Sequence, residues 1–439
     1  MSFQELQLAD PIMRAIELCG YTTPTPVQSG SIPEVLAGRD LLASAQTGTG
    51  KTAAFMLPVL HKLSTFKKGP KGAPRVLVLT PTRELAAQII EATRTYGKFL
   101  HVRNTVILGG MPYGPQFRDL GRPIDLVVGT PGRLIDHLNR GSLDLSRLEI
   151  LILDEADRML DMGFKDDVEK ITSAAPAGRQ TLMFTATMDR TMTELAGRLL
   201  REPVRVEING SKVTLEQISQ RLHVADNIRH KHRLLKHLLA TEDVNQAIIF
   251  SSTKRATDEL ARDLASQGHQ AAALHGDMSQ SARNQTLREL RRGKIRLLVA
   301  TDVAARGIDV LGISHVINFD LPQSAEDYVH RIGRTGRAGA AGTAISFAGI
   351  SDVLRLRQIE RYIHQSLQEE VIAGLEPNRS LPVVRANQNG KGRAAGSKRH
   401  GGPGSARGKS TKSWGRNDRK GPVVEYRSRK AGRKTSAAR

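Results

Sequence analysis

The stretch AQTGTGKT, Ala45 to Thr52, restricts the fold of this chain more than any other. It follows Asp40-Leu41-Leu42-Ala43-Ser44 and precedes Ala53-Ala54-Phe55-Met56-Leu57, which reads as strand, tight loop, helix. Such a loop turns backbone N–H groups toward an anion at a helix N-terminus, where the helix dipole also favours negative charge. Gly48 and Gly50 let the backbone approach a phosphate, because no Cβ intervenes. Lys51 can reach the β- and γ-phosphates, and the Thr52 hydroxyl can ligate Mg²⁺. The first position of the usual G-x-x-x-x-G-K-[ST] pattern is Ala45 here, so the opening turn must suit a residue with a Cβ. The competing reading is a Gly/Thr-rich surface loop. GKT between strand and helix favours a nucleotide site over it.

The length, 439 residues, suits two or three domains of about 150 residues each. No stretch has the ~18 uninterrupted apolar residues of a membrane span. The N-terminus lacks the charged start and apolar block of a signal peptide. The single cysteine, Cys19, excludes an internal disulfide and a multi-Cys zinc site, which fits a cytoplasmic setting. The net charge of +21 is uneven: residues 380–439 hold 17 Lys+Arg against 2 Asp+Glu. A polyanionic partner is expected for such a chain. The basic segment has no amphipathic apolar face, so a membrane surface is disfavoured.

Short apolar runs alternate with helix-like stretches up to about Ile208: Val76–Leu79, Asp125–Val128, Ile150–Leu153 and Thr181–Phe184, with a helix over Glu84–Tyr96. Runs of this kind suit parallel strands buried on both faces. The pattern lapses over 209–217, read as a linker. It resumes with Ala247–Phe250, Ala271–Leu274, Leu297–Ala300, His315–Asn318 and Thr343–Phe347. This second segment has no GK[ST]. At its corresponding early strand end stands Ser251-Ser252-Thr253-Lys254-Arg255. The expected organisation is α/β: domain 1–208, linker 209–217, domain 218–375, and a disordered basic tail over 376–439, which cannot bury enough apolar surface to offset its ordering entropy. In open parallel sheets ligands sit at the carboxyl ends of the strands. One phosphate loop for two sheets suggests one nucleotide between them.

The tetrad DEAD, Asp154 to Asp157, comes directly after Ile150–Leu153. Asp154 is placed to hold Mg²⁺, mostly through water, and Glu155 to orient and deprotonate an attacking water. A solvated helix start is the competing reading. With Phe3 and GYTTPTPVQ (Gly20–Gln28), PTRELA (Pro81–Ala86), Gly109-Gly110, TPGR (Thr130–Arg133), TAT (Thr185–Thr187), HGDMSQ with Arg283, ATDVAARGID (Ala300–Asp309) and HRIGRTGR (His330–Arg337), the chain resembles a DEAD-box RNA helicase of superfamily 2. The overall pattern and basic tail are most similar to the bacterial RhlE-like branch. The resemblance spans about residues 3 to 350, and departs from the family at Thr185, where SAT is usual.

The resemblance implies two tandem RecA-like parallel-sheet domains closing on ATP, Mg²⁺ and RNA, with RNA bent so that it no longer fits a duplex. Gln28 would read the adenine edge, Phe3 or Tyr21 would cover the base, and Asp309 would contact the ribose. Ala45, Gln46, Thr47, Gly48, Thr49, Gly50, Lys51 and Thr52 would cradle the phosphates. Arg334 and Arg337, in a Gly-punctuated loop of the segment without a phosphate loop, would reach the γ-phosphate on closure; fingers of this kind are worth roughly 10³–10⁵ in rate. A basic loop facing RNA or solvent is the alternative. His330 would relay between the ATP and RNA sites, or be a satisfied buried histidine. Thr185 and Thr187 would couple the two sites. RNA contacts would come from Pro81, Thr82, Arg83, Gly109, Gly110, Thr130 and Arg133, and from Arg283, Thr301 and Gly307, types that suit the sugar–phosphate backbone. Aromatics are only 4% of the chain, so stacking is not expected to be the main device.

His230, His232 and His237 lie on a basic helical stretch without matched carboxylates, and read as a solvated face. The tail should bind nucleic acid by counterion release, with Trp414 and Tyr426 as isolated stacking residues. The expected activity is RNA-stimulated ATP hydrolysis with local duplex unwinding, and ribosome-assembly or RNA-decay factors are candidate protein partners. The rivals are an ATP-gated RNA clamp or annealing chaperone, a DNA translocase of the same superfamily, and a P-loop GTPase or kinase. The last lacks an N-K-x-D guanine reader here.

Overall fold

The computed structural model describes residues 2–45, 48–67, 69–208, 218–305, 310, 312–336 and 341–382. The expected linker, nearly all of the basic tail with Trp414 and Tyr426, and the site residues Gln46, Thr47, Gly307, Asp309 and Arg337 lie outside the described residues.

The first sheet holds β1 (Leu41–Ser44), β2 (Val76–Leu79), β3 (Asn104–Ile107), β4 (Leu126–Gly129), β5 (Ile150–Leu153), β6 (Gln180–Thr185) and β7 (Val204–Glu207). Their order is β3-β4-β2-β5-β6-β1-β7, with every pair parallel. The apolar runs are continuous because both faces are covered. Val76 and Val78 enter one core with Phe55 and Leu60, while Leu77 and Leu79 enter another with Met159 and Ile171. The helix Lys51–Ser64 is buried nearly all round, which explains its run of Ala, Phe, Met and Leu.

The second sheet holds β8 (Ile218–Val224), β9 (Ala247–Phe250), β10 (Ala271–Leu274), β11 (Leu297–Ala300), β12 (His315–Asn318), β13 (Gly342–Ala348) and β14 (Gln368–Glu369). Their order, β10-β11-β9-β12-β13-β8-β14, repeats the first sheet position by position, and is again parallel throughout. These are two RecA-like lobes in tandem. The repeat corrects one correspondence expected from sequence. β8, not β9, occupies the place of β1. The counterpart of the phosphate loop is therefore Ala225-Asp226-Asn227, and Ser251–Arg255 answers to the segment after β2. Runs of apolar residues do not reveal β8, whose sequence ISQRLHV mixes polar and apolar side chains.

The strand ends lead into capped helices. Thr82, Asn227, Thr253, Ser279 and Ser324 each accept a main-chain N–H from the first turn of the helix that follows. The chain past Glu376 is described to Pro382. There Asn378 donates from its main-chain N (3.0 Å) and side-chain Nδ2 (2.7 Å) to the Asp226 carboxylate. His230 is also not on a solvated face. It is buried, its Nδ1 accepting from Asp226 N (3.2 Å) and its Nε2 donating to Leu375 O (3.0 Å). His232 turns instead to Asp263 and to the Phe319 ring.

Candidate nucleotide site and nucleic-acid groove

A cleft of about 240 Å³ lies at the carboxyl ends of β1 and β5. It is lined by Tyr21, Gln28, Gly48, Gly50, Lys51 and Thr52 from one side, and by Asp154, Glu155 and Arg334. Gly48 and Gly50 have φ of +86° and +92°, which L side chains rarely adopt. A Cβ on Gly50 would stand 2.4 Å from Gln28 Nε2. That crowding reflects a direct tie: Gln28 Nε2 donates to Gly50 O (3.2 Å), while its Oε1 accepts from Thr25 N (3.0 Å). One N–H and one oxygen lone pair of the amide stay available to a ligand. Lys51 is buried and its Nζ donates to Ala45 O (2.8 Å).

Of the two candidates for covering a base, Phe3 is corrected by the structure. It is 2% exposed in the core of the first lobe. Its apolar ring is consumed by packing beside Leu6 and Ile12. Tyr21 lines the cleft, with its ring 6.3 Å from that of Tyr96 and the two hydroxyls 3.5 Å apart. Tyr96, Leu85 and Gln88 complete that end of the cleft and were not legible in the sequence, since they sit on a helix whose apolar periodicity already accounts for them.

The three acidic residues of the DEAD tetrad are placed in three different ways. Asp154 is buried, and burial pushes its carboxyl up to about 7, with Lys51 opposing the shift. Glu155 has φ +53°, a left-handed conformation that turns the chain from β5 into the helix Ala156–Asp161. Its Oε2 accepts from Arg158 Nη1 at 3.0 Å, and both side chains are buried. Asp157 Oδ2 accepts from Ala186 N (2.9 Å), Thr187 N (3.0 Å) and the Thr187 hydroxyl (3.2 Å). Thr185 is fully buried and its hydroxyl donates to Thr187 O (2.7 Å), a bond that serine could also make. Burial alone would raise the Asp157 carboxyl; Lys51, His330 and the Ala186 N–H outweigh it and hold it low. His330 is driven the other way, below the usual imidazole range, by burial and by Arg158. Asp157 of the first lobe and His330 of the second thus act on each other electrostatically across the lobes.

Asp154 and the Thr52 hydroxyl form an oxygen donor set suited to Mg²⁺. A buried carboxylate held up near 7 is what a neighbouring cation would bring back into the ionised range.

A second depression, of about 600 Å³, runs between the lobes. It gathers Pro81, Thr82, Arg83, Gly109, Thr130 and Arg133 from the first lobe with Arg283 from the second. Gly109 N donates to the Thr130 hydroxyl (3.3 Å). Two expected contact residues do not line it. Gly110 packs on Arg83, whose guanidinium a Cβ there would strike, and Thr301 turns into the start of the short helix Asp302–Ala305, leaving Val303 at the groove. Across the groove Arg83 Nη1 donates to Gln280 Oε1 (3.0 Å), Gln280 Nε2 to Glu84 Oε1 (3.1 Å), and Arg283 pairs with Glu84 (2.8 Å). Gln280 and Glu84 belong to HGDMSQ and PTRELA, yet neither carried a role in the sequence reading, because Glu84 lies 196 positions from Gln280 and 199 from Arg283 along the chain. Among the described residues they join the two lobes directly.

Residues 25–195 match the DEAD/DEAH box helicase family and residues 230–339 the helicase conserved C-terminal domain. The ATP-dependent RNA helicase SrmB of Haemophilus influenzae is 43% identical over 381 residues, covering 87% of each chain. The chain belongs to the DEAD-box helicase family. The ATP-dependent RNA helicase DeaD of Escherichia coli is 48% identical over 376 residues, 85% of this chain and 59% of that one, so the chain spans less than two thirds of that relative's length. Among solved structures, Saccharomyces cerevisiae Dbp5 bound to RNA and ADP BeF3 superposes with a TM-score of 0.75 at 32% identity, covering 84% of this chain and 95% of that one. Mss116p bound to ssRNA and AMP-PNP gives 0.76 at 27% identity, covering 85% and 81%. No helix among the described residues of this DEAD-box protein is long and apolar enough to cross a membrane.

Proposed function

We propose that this DEAD-box chain is an ATP-dependent RNA helicase that opens short duplexes locally by closing two lobes on ATP and RNA. The observation that carries this is the position of Arg334. It belongs to the lobe without a phosphate loop, yet lines the same cleft as Lys51, Asp154 and Glu155. Hydrolysis then depends on closure. Gly48 to Thr52 cradle the phosphates with backbone N–H groups, and Lys51 leaves Ala45 O for the phosphate oxygens. Gln28 reads adenine with the spare donor and acceptor of its amide, and Tyr21 covers the ring. Glu155 takes the proton of the attacking water, and Arg334 with Arg337 stabilises charge on the transferred phosphoryl group. Thr52 and Asp154 would hold Mg²⁺, which supplies charge neutralisation at the phosphates.

RNA lies in the groove of Thr82, Gly109, Thr130 and Arg133, held by its backbone. If an RNA step costs about what a DNA step does, opening three or four steps takes roughly 5 kcal/mol at ~1.4 per step. Closure on two ligands offsets that, and Asp157 ties the event to the TAT segment. The domains are 1–208 and 218–375, joined by 209–217, with residues 376–439 as a basic tail in a cytoplasmic enzyme. Within the family the tail supports the RhlE-like branch, whereas the relatives compared bear the SrmB and DeaD names. Ribosome-assembly or RNA-decay factors are the partners this class of activity implies.

The test is ATP turnover without nucleic acid, with RNA and with DNA. RNA alone should stimulate, and Arg334→Ala should lose the stimulation while RNA binding persists. Equal stimulation by DNA, or an unaffected Arg334→Ala, contradicts the reading. A second reading, an ATP-gated RNA clamp or annealing chaperone, is favoured by the basic tail, with 17 Lys+Arg against 2 Asp+Glu over 380–439. Strand displacement that vanishes without residues 383–439, with ATP turnover intact, would select it.

A further inference from the structure

Immediately past Gly109-Gly110 the helix Tyr113–Leu120 presents Tyr113 and Phe117 on one face, four residues apart. Their rings are stacked, 5.8 Å between centroids at 22°. Phe117 also meets the edge of His137 at 4.9 Å. Tyr113 is fixed from three directions. Its hydroxyl donates to Asp136 Oδ2 (2.8 Å), and the Arg133 and Arg140 guanidinium carbons lie 4.0 and 5.0 Å from its ring centre. Nothing of this kind is needed for the helix to pack. Its buried contacts are made by Gln116 and Leu120 instead. Phe117 remains 37% exposed and Met111, at the loop before it, 40% exposed.

The surroundings favour one class of occupant. Arg133 and Asp136, which hold Tyr113, are also walls of the RNA groove, so the aromatic pair adjoins that groove. Arg118 and Arg140 are exposed beside it. A rigid ring with arginines around it suits an unpaired base with its phosphate, since stacking accepts every base and the cations pair with the backbone. A purely apolar protein segment would leave these guanidiniums desolvated.

We propose that Phe117, backed by Tyr113, is a stacking site for one unpaired base of the RNA strand beyond the Gly109-Gly110 end of the backbone groove. The site rests on the RNA-helicase reading above. It adds a base contact to a groove that otherwise holds sugar and phosphate, and it places that contact on the first lobe alone, so it engages whether or not the lobes close.

The full chain, with a non-hydrolysable ATP analogue, is titrated with single-stranded RNA of about six and about twelve nucleotides, lengths that bracket groove-only and groove-plus-platform occupancy. Phe117→Leu should bind the longer RNA about tenfold more weakly than the parent, and the shorter one equally, while Phe117→Trp restores the longer. A 2-aminopurine probe walked along the longer RNA should be quenched at one position in the parent and not in Phe117→Leu. Equal affinity of parent and Phe117→Leu for the longer RNA overturns the site. So does an equal loss at both lengths, which would make Phe117 a packing residue. A parent chain that binds neither RNA removes the helicase reading itself, and the site with it.

Discussion

Asp154 shows how burial alone makes a residue responsive to its ligand. Its carboxyl is raised to about 7 by burial, against an ordinary value of about 3.9. A raised folded-state pKa means that folding favours the protonated form. That contribution to stability is complete below about pH 4 and is lost as pH rises through 7. A cation at this position needs the ionised form. Loading Mg²⁺ with an ATP analogue at about pH 6 should therefore release more protons from the parent than from Asp154→Asn, and the difference should vanish near pH 8.5. Calorimetry in two buffers of different ionisation enthalpy reads it, and identical release from both proteins would remove Asp154 from the cation site. Gly50 is constrained in two ways at once, by φ +92° and by Gln28 Nε2 at 2.4 Å from a Cβ. Gly50→Ala costs roughly 1–3 kcal/mol of backbone strain and displaces the glutamine. A fluorescent ATP analogue should bind at least about tenfold more weakly; unchanged binding would show that the loop reshapes freely.

One helix of the second lobe, Ala325–Ile332, illustrates how neighbouring residues of one motif divide their work. His330 acts electrostatically on Asp157 of the first lobe, while Arg331 turns inward and is buried. Arg331 Nη2 donates to Asp302 Oδ2 (2.7 Å), and Nη1 to Asn318 Oδ1 (3.0 Å) and Asp320 O (2.6 Å), with the guanidinium over the Phe250 ring. It thus pins the ends of β9, β11 and β12 to the helix that carries Arg334 toward the cleft. Removing one member of such a buried network leaves the others uncompensated, and Arg331→Leu should cost about 3 kcal/mol of stability in urea denaturation followed by circular dichroism. A midpoint within error of the parent would mean that the network is replaceable. The motif HRIGRTGR was legible at once; which of its arginines faces the ligand and which the core was not. That choice follows from the register of one helix against three strands.

At the scale of the molecule, the two lobes meet through Arg83, Glu84, Gln280 and Arg283 at the groove, and His330 and Asp157 act on each other electrostatically near the cleft. An ion pair that spans the lobes and lies largely out of solvent should set how often they close. Glu84→Arg should lower RNA-stimulated ATP turnover by roughly tenfold, and adding Arg283→Glu, measured at saturating RNA so that a weakened RNA contact does not contribute, should recover much of the loss, as a double-mutant cycle reports. If the double variant is no better than the single one, the pair does not govern closure.

Motif order and strand-length apolar runs sufficed for the fold class, the two-lobe plan and the family, because a phosphate loop, an acidic strand end and buried parallel strands each demand particular residues at short, fixed spacing. They did not suffice where the deciding partner is remote. Half-polar strands such as β8 show no continuous run, so the repeat of one sheet in the other was visible only in the assembled order. Phe3 and Tyr21 are both aromatic on paper, and packing of the first lobe's core sent one inward and the other to the cleft. His230 looked solvated until Leu375 and Asp226 closed around it. Local chemistry is written in neighbouring residues, while burial and cross-lobe pairing are decided by groups that meet only once the chain has folded.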